Sequence, residues 1–187
     1  MTMFLSLAPF ACLAAIMTLT TPTWGLLAAA AIALGVVTYD LARGASVKTL
    51  TIGAAIAFGG LGAYGLLTGT EWTALTVRLS ANGLVLAIAA LSLMIRLPFT
   101  LQYAREMTTP EVRSLPAYHR VNYILTGVWT AALVLMLTAD LLPLYVPALP
   151  IWIGVTAGFV LHYGAMIFTH WYIRRAHSAP AMITAGS

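Results

Sequence analysis

Residues Leu50 to Leu67 read LTIGAAIAFGGLGAYGLL, an apolar run of 18 residues without a charged side chain. An α-helix rises ~1.5 Å per residue, so a run of ~20 apolar residues is long enough to cross the ~30 Å hydrocarbon core of a bilayer. The run lacks the strict alternation of apolar and polar residues that a strand of a transmembrane β-barrel requires. It therefore predicts a transmembrane helix.

The rest of the chain repeats this pattern between short polar turns. Backbone N–H and C=O groups find no water in lipid, so segments that span it must satisfy these groups within themselves as helices. The sequence predicts an all-α polytopic membrane protein, a bundle of about six transmembrane helices with an amphipathic cytoplasmic loop, in which residues 1–187 form one integral membrane domain. The predicted helices cover about residues 3–20, 24–41, 50–67, 75–95, 122–142 and 151–172.

Composition supports the same class of protein. Hydrophobic residues make up 61% of the chain and charged residues 7%, against ~25% charged residues in soluble domains. The mean hydropathy is +0.93, so lipid is the expected solvent for most of the surface. The nine Lys and Arg residues lie in the gaps between apolar runs. Basic residues in such positions set the orientation of a membrane protein, which accounts for the net charge of +4. We therefore expect no nucleic-acid partner.

Basic residues also predict the orientation, because Lys and Arg are retained on the cytoplasmic side of short loops. Arg78 alone falls on the opposite side. Six crossings then place both termini in the cytoplasm, and the expected location is a bacterial inner (plasma) membrane. The first five residues carry no basic side chain, so we expect the first run to stay as an uncleaved helix. The basic residues on the cytoplasmic side are Arg43, Lys48, Arg96, Arg105, Arg113, Arg120, Arg174 and Arg175.

The one long polar stretch, residues 96–121, contains aromatic and basic side chains close together. Phe99 and Tyr103 suit a membrane interface, where Arg105 and Arg113 would reach anionic head groups. This pattern predicts a loop that lies on the membrane surface or binds a partner. An ordered connector whose charges merely face water explains the same residues, and both interpretations stay open.

Polar side chains inside predicted crossings are costly in lipid and mark candidate sites. Arg78 lies one turn inside the fourth predicted helix, with Asn82 four residues later and Glu71 in the preceding outer loop. Asp140 lies near the outer end of the fifth helix, at about the depth of Arg78. We expect Arg78 to face the bundle and to pair with Asp140 or Glu71. Such a pair either fixes helix packing or lines a ligand or ion site.

His162 is the only histidine well inside a predicted crossing. A b-type haem needs two imidazoles at matching depth, whereas His119, His170 and His177 lie at or beyond the cytoplasmic edge. A hydrogen-bonded structural histidine is the preferred interpretation; a proton relay would need a chain of titratable groups, and only Tyr163 adjoins it. No metalloprotease, thiol, serine-hydrolase or phosphate-loop motif occurs. We therefore predict no catalytic residue, no metal ligand and no cofactor.

Small residues follow one stripe of the third predicted helix. Gly53, Ala57, Gly60 and Tyr64 recur near one face at helical spacing. Small residues let helix backbones approach each other closely in lipid. The stripe predicts that a neighbouring helix packs closely against Gly53 and Gly60.

Two segments carry a resemblance to a known family. Residues Arg96 to Glu106 read RLPFTLQYARE, and Pro116 to Asn122 read PAYHRVN and are followed by Trp129. Over about residues 55–140 the chain resembles the bacterial inner-membrane family called intracellular septation protein A, although Tyr118 stands where that family usually has Trp. The resemblance implies a role in envelope maintenance or cell division through contacts with other membrane proteins, and it implies no catalytic residue.

Three functions fit these residues. The preferred hypothesis is a non-enzymatic inner-membrane protein that acts through contacts with the lipid bilayer and with other membrane proteins or further copies of itself. The second is a small carrier or binding protein for a lipid or apolar solute, with Arg78, Asn82 and Asp140 lining an outer pocket. The third is an intramembrane enzyme, which would need an acid or base of shifted pKa in an enclosed pocket.

Overall fold

The computed structural model describes residues 2–17, 19–146 and 152–177. Within these residues all regular structure is helical and there is no strand, which confirms the all-α class. The helices are α1 (Thr2–Met17), α2 (Pro22–Ala42), α3 (Thr49–Thr68), α4 (Ala74–Met94), α5 (Thr100–Met107), α6 (Pro110–Arg113), α7 (Pro116–Tyr145) and α8 (Trp152–His177).

Five of the described helices, α2, α3, α4, α7 and α8, are long and apolar enough to cross a membrane. The chain is therefore a multi-pass membrane protein, as predicted. The first predicted crossing, residues 3–20, forms the 16-residue helix α1 over its described part. At ~1.5 Å per residue this helix is about 24 Å long, short of the ~30 Å core. A membrane crossing by residues 3–20, which would bring the number of crossings to six, stays a prediction.

The fifth predicted crossing has different ends in the structure. Helix α7 begins at Pro116 rather than at about residue 122 and continues through Pro143 to Tyr145, past the predicted boundary at about residue 142. Proline is favoured at the first helical position, where its missing N–H is not needed. Near the end of the helix, Pro143 removes only one intrahelical hydrogen bond, and its fixed φ is itself helical. The other two prolines of this predicted boundary, at 147 and 150, lie outside the described residues.

By their contacts, the residues up to Leu91 form one compact unit and those from Ser92 onward a second, and each is described by itself. In the first unit, α2 packs against α1 and α3. The core is built around Phe58 of α3, which is 0% exposed and makes an edge-to-face contact with Phe10 at 5.4 Å between ring centroids. Small residues in the same core let the helices approach each other closely. They include Ala29, Ala30, Ala33 and Ala54.

The closely packed glycines of α3 coincide only in part with the predicted stripe. A Cβ atom on Gly60 would meet nothing within 4 Å, so the predicted contact there is wrong, whereas one on Gly53 would lie 2.7 Å from Ile88 Cδ1. A Cβ on Gly62 would lie 2.8 Å from Leu27 Cδ2 and 3.3 Å from the Leu27 backbone nitrogen of α2. Gly62 therefore sets the closest approach of α2 and α3 along this face.

Replacing Gly62 with alanine should lower the free energy of unfolding by about 1–2 kcal/mol, because the added methyl group must push α2 away from α3. Gly60→Ala is the matched control in the same helix, since its methyl group enters open space. We expect the control to be neutral or slightly stabilising, by up to about 0.5 kcal/mol, through the better helix propensity of alanine. Far-UV circular dichroism during unfolding by SDS in mixed micelles measures both. Equal stability of the two variants would contradict the assigned packing face.

In the second unit, α7 packs against α8 and α5. The α7–α8 contact centres on Trp129, whose Nε1–H donates a hydrogen bond of 3.2 Å to Thr169 Oγ1. The ring of His162 on α8 packs edge-to-face against Trp129 at 5.2 Å between centroids. His162 is half-buried in this aromatic contact. Its surroundings are those of a residue that packs two helices together.

Candidate functional site

The polar stretch between α4 and α7 is folded, and we call residues 95–115 the connector. It begins with an ordered turn after α4. Arg96 has a left-handed φ of 59°, and Leu97 N–H donates 2.9 Å to Ser92 O, which closes the end of the helix. The Phe99 N–H then donates 3.1 Å to Ser92 Oγ. These bonds order the chain between Ser92 and the start of α5.

Helix α5 is held on α7 by buried polar contacts. Thr100 Oγ1 donates a 3.0 Å hydrogen bond to the Asn122 carbonyl and lies 2.9 Å from Thr126 Oγ1. Thr126 is 0% exposed and Leu101 of α5 is 4% exposed. The Tyr123 hydroxyl of α7 also donates to the carbonyl of Leu93 at the end of α4. The connector is therefore anchored to α7, which agrees with the interpretation of an ordered segment.

Arg113 of α6 binds backbone carbonyls at the end of α5. Its Nε donates 3.1 Å and its Nη2 2.7 Å to the Thr108 carbonyl, and Nη2 also donates to the Arg105 carbonyl. A cation at the end of α5 satisfies carbonyls that have no partner within the helix and favours the negative end of the helix dipole. The guanidinium of Arg113, although exposed, thus holds the α5–α6 turn together.

Glu111 carries the acidic charge of α6. The pKa of the Glu111 carboxyl lies below its usual value, mainly because the Thr109 side chain donates a hydrogen bond to it. The nearby charge of Arg113 lowers this pKa as well. The group therefore stays ionised well below neutral pH. The short helix α6 presents one acidic and one basic side chain at its surface.

The other predicted residues of this segment divide by exposure. Phe99 and Tyr103 are half-buried and contact each other edge-to-face at 6.3 Å between ring centroids. Arg105, Glu106 and Met107 are exposed, and Met107 is 68% exposed. We call these three residues the α5 tip. Helix α5 thus carries two charged side chains and one flexible apolar side chain at its C-terminal end.

The predicted intramembrane polar residues lie in both units. Arg78 and Asn82 are half-buried on α4, and Glu71 is exposed in the turn before that helix. Asp140 on α7 is 2% exposed. Since Arg78 and Asp140 belong to different units, their pairing stays a prediction.

The burial of Lys48 could not be predicted from the sequence. Lys48, counted there only as a topology charge, is 0% exposed at the start of α3, and its Nζ donates 2.7 Å to the Ser46 carbonyl and 3.1 Å to Ser46 Oγ. Nothing in the sequence distinguishes it from Arg43, which is exposed and whose Nη1 donates to the Tyr39 hydroxyl at 2.6 Å. Burial of Lys48 depends on how the α2–α3 turn folds back, which no local pattern encodes.

Among the described residues, no group of three or more His, Cys, Asp or Glu side chains is close enough to hold a metal ion. Comparison of the chain with protein-family models, with curated proteins and with solved structures finds no match. The candidate site is therefore assigned from the geometry of the described residues, as the connector with its α5 tip.

Proposed function

We propose that this chain is a non-enzymatic membrane protein that acts by contacting other membrane proteins, and that the α5 tip is the surface that makes the contact. The observation that carries the proposal is the anchoring of α5 on α7 by Thr100, Asn122 and Thr126. A segment that only links two helices has no need of buried hydrogen bonds. A binding surface gains from them, because a rigid surface loses less conformational entropy on association.

The chemistry of the α5 tip fits a protein partner. Arg and Met are enriched in protein interfaces, Arg for its planar hydrogen-bonding group and Met for its adaptable shape. Arg105 and Glu106 give the tip both signs of charge, which favours a partner of matching pattern over a uniformly anionic lipid surface. By the distribution of basic residues, the tip would lie on the cytoplasmic side of a bacterial inner membrane. The septation-family resemblance adds envelope maintenance or cell division as the process.

The test is site-specific photo-crosslinking in living cells. A photoreactive amino acid replaces Met107 of the α5 tip, and a matched probe replaces Leu67 at the end of α3, which is 88% exposed. We expect the probe at 107 to give one discrete protein adduct and the probe at 67 to give lipid adducts only. Identification of the captured protein as part of the envelope or division machinery would support the proposed process.

A charge reversal makes the test specific. Arg105→Glu, in the chain that carries the probe at 107, should reduce the adduct about fivefold, because one surface charge pair contributes up to ~1 kcal/mol. Thr100→Val should also reduce it, since it loosens α5 without changing a charge at the tip. Identical products from positions 67 and 107, or an adduct that is insensitive to Arg105→Glu, would contradict the proposal.

A further inference from the structure

A cavity of about 380 Å³ opens at one end of the first unit, where α2 begins and α3 ends. Its walls come from the turn before α2, the last turns of α3 and the turn that leads to α4. The side chains that decide its chemistry are Thr23, Trp24, Thr70, Glu71 and Trp72. Its volume is in the range of small-molecule sites in proteins.

The wall around Trp72 is built to keep its shape. Trp72 Nε1–H donates a 3.0 Å hydrogen bond to the Leu61 carbonyl of α3. A Cβ atom on Gly65 would lie 2.8 Å from Trp72 Nε1 and 3.1 Å from Thr23 Oγ1, so the absence of a side chain at 65 lets both residues reach α3. The tryptophan is therefore fixed by the fold and does not swing freely at the membrane edge.

The turn beside Trp72 is ordered as well. Gly69 ends α3 in the left-handed conformation with φ 67°. The hydroxyl oxygens of Thr68 and Thr70 lie 2.7 Å apart, and Thr68 Oγ1 also donates 2.7 Å to the Tyr64 carbonyl. These contacts hold the chain before Glu71, and the hydrogen bond of Trp72 holds it after Glu71.

The charge of the lining indicates the ligand. Among the described residues that line the cavity, Glu71 is the only charged one, and none is Lys, Arg or His. A lining that combines a carboxylate with two tryptophan side chains suits a compact organic cation, because the carboxylate carries the opposite charge and the faces of tryptophan attract ammonium groups. The first turn of α2, which has no side-chain cap, also borders the cavity and favours a negative group. A ligand with an ammonium group beside a phosphate matches both parts of the lining.

We propose that this cavity binds an alkylammonium group, as carried by the head group of an ethanolamine phospholipid, with Glu71, Trp24 and Trp72 as the residues that recognise the ammonium. The cavity lies at the ends of two membrane-spanning helices, α2 and α3, which is the level of lipid head groups. This inference goes beyond the proposed function, since it concerns the first unit and involves none of the residues of the α5 tip.

The test uses the full chain, delipidated in detergent, and native mass spectrometry during titration with phosphatidylethanolamine or phosphatidylglycerol. We expect one phosphatidylethanolamine to bind up to about fivefold more tightly than phosphatidylglycerol, because an exposed charge pair contributes up to ~1 kcal/mol. Glu71→Gln should remove this preference. Glu111→Gln, which removes an equally exposed carboxylate in the second unit, should leave it unchanged. Trp24→Leu, at a side chain that is 57% exposed, should weaken binding without unfolding the chain.

Free ethanolamine, added in excess, separates the two sources of the ammonium group. Displacement of the phospholipid by ethanolamine from the wild-type chain would identify the ammonium group as the recognised part, for which a soluble amine then also qualifies. Retention of the lipid would show that the phosphate contributes to binding as well. Equal affinity of the wild-type chain for both lipids, or a preference that survives Glu71→Gln, would overturn the proposal.

Discussion

Replacing Phe58 with alanine should lower the free energy of unfolding by about 3 kcal/mol, the largest loss that we expect from one substitution in this chain. Phe58 is 0% exposed, and its ring contacts Phe10. Truncation leaves a cavity that the small alanines around it cannot fill. The cost falls at the lower end of the range for buried phenylalanines, because lipid replaces water as the solvent of the separated helices and the transfer contribution is smaller.

The control for this prediction lies two residues earlier in the same helix. Ile56 is 71% exposed, so Ile56→Ala removes methyl groups that face the surroundings and not the core. We expect a change below about 0.5 kcal/mol. SDS unfolding in mixed micelles, followed by far-UV circular dichroism, compares both variants with the wild-type chain. A similar loss for the two would mean that overall apolarity, and not packing around Phe58, stabilises the first unit.

The helix bounds of the first unit could be predicted closely from the sequence. The run predicted over residues 50–67 forms α3 over Thr49–Thr68, and the run predicted over 75–95 forms α4 over Ala74–Met94. Their ends coincide with the residues at which apolar side chains give way to Thr, Gly and Arg. This agreement has a physical cause, because a backbone that spans lipid must be helical for as long as it remains in the hydrocarbon.

The packing faces of these helices could not be predicted in the same way. Helical spacing placed Gly53 and Gly60 on one stripe, yet only Gly53 has a close neighbour, and Gly62 makes the closest approach to α2. In water, the apolar face of a helix indicates its buried side. In lipid every face is apolar, so the sequence contains no equivalent signal and tertiary contacts decide which glycines are covered.

The contacts of the connector could not be predicted from the local sequence for a related reason. The aromatic and basic residues of 96–121 indicated an ordered or surface-bound segment, but the contact of Thr100 with Asn122 and Thr126 joins residues 22 and 26 positions apart. Arg113 likewise satisfies carbonyls of the preceding helix. Such bonds depend on which segments the fold brings next to each other. Phe99 and Tyr103 were therefore recognisable as members of the segment, whereas their half-buried position was not.

Trp129→Ala should lower the free energy of unfolding by about 2–3 kcal/mol, because the side chain joins α7 to α8 by two different contacts. Its Nε1–H binds Thr169 Oγ1, and its ring packs against His162. The ring is half-buried, so the expected loss is smaller than for a fully buried tryptophan. Trp152→Ala is the control: that side chain is 63% exposed at the start of α8, and its removal should cost less than about 0.5 kcal/mol.

Trp129→Phe separates the two contacts of this residue. A phenylalanine keeps an aromatic ring against His162 but has no N–H to donate, so we expect a loss of about 1 kcal/mol, the net contribution of one hydrogen bond. His162→Phe in the wild-type background should be nearly as stable as the parent if the histidine serves to pack α8 on α7. A large loss of stability on His162→Phe, with Trp129→Phe unchanged, would instead mean that His162 acts through polar interactions. The interpretation of His162 as a packing residue would then be wrong.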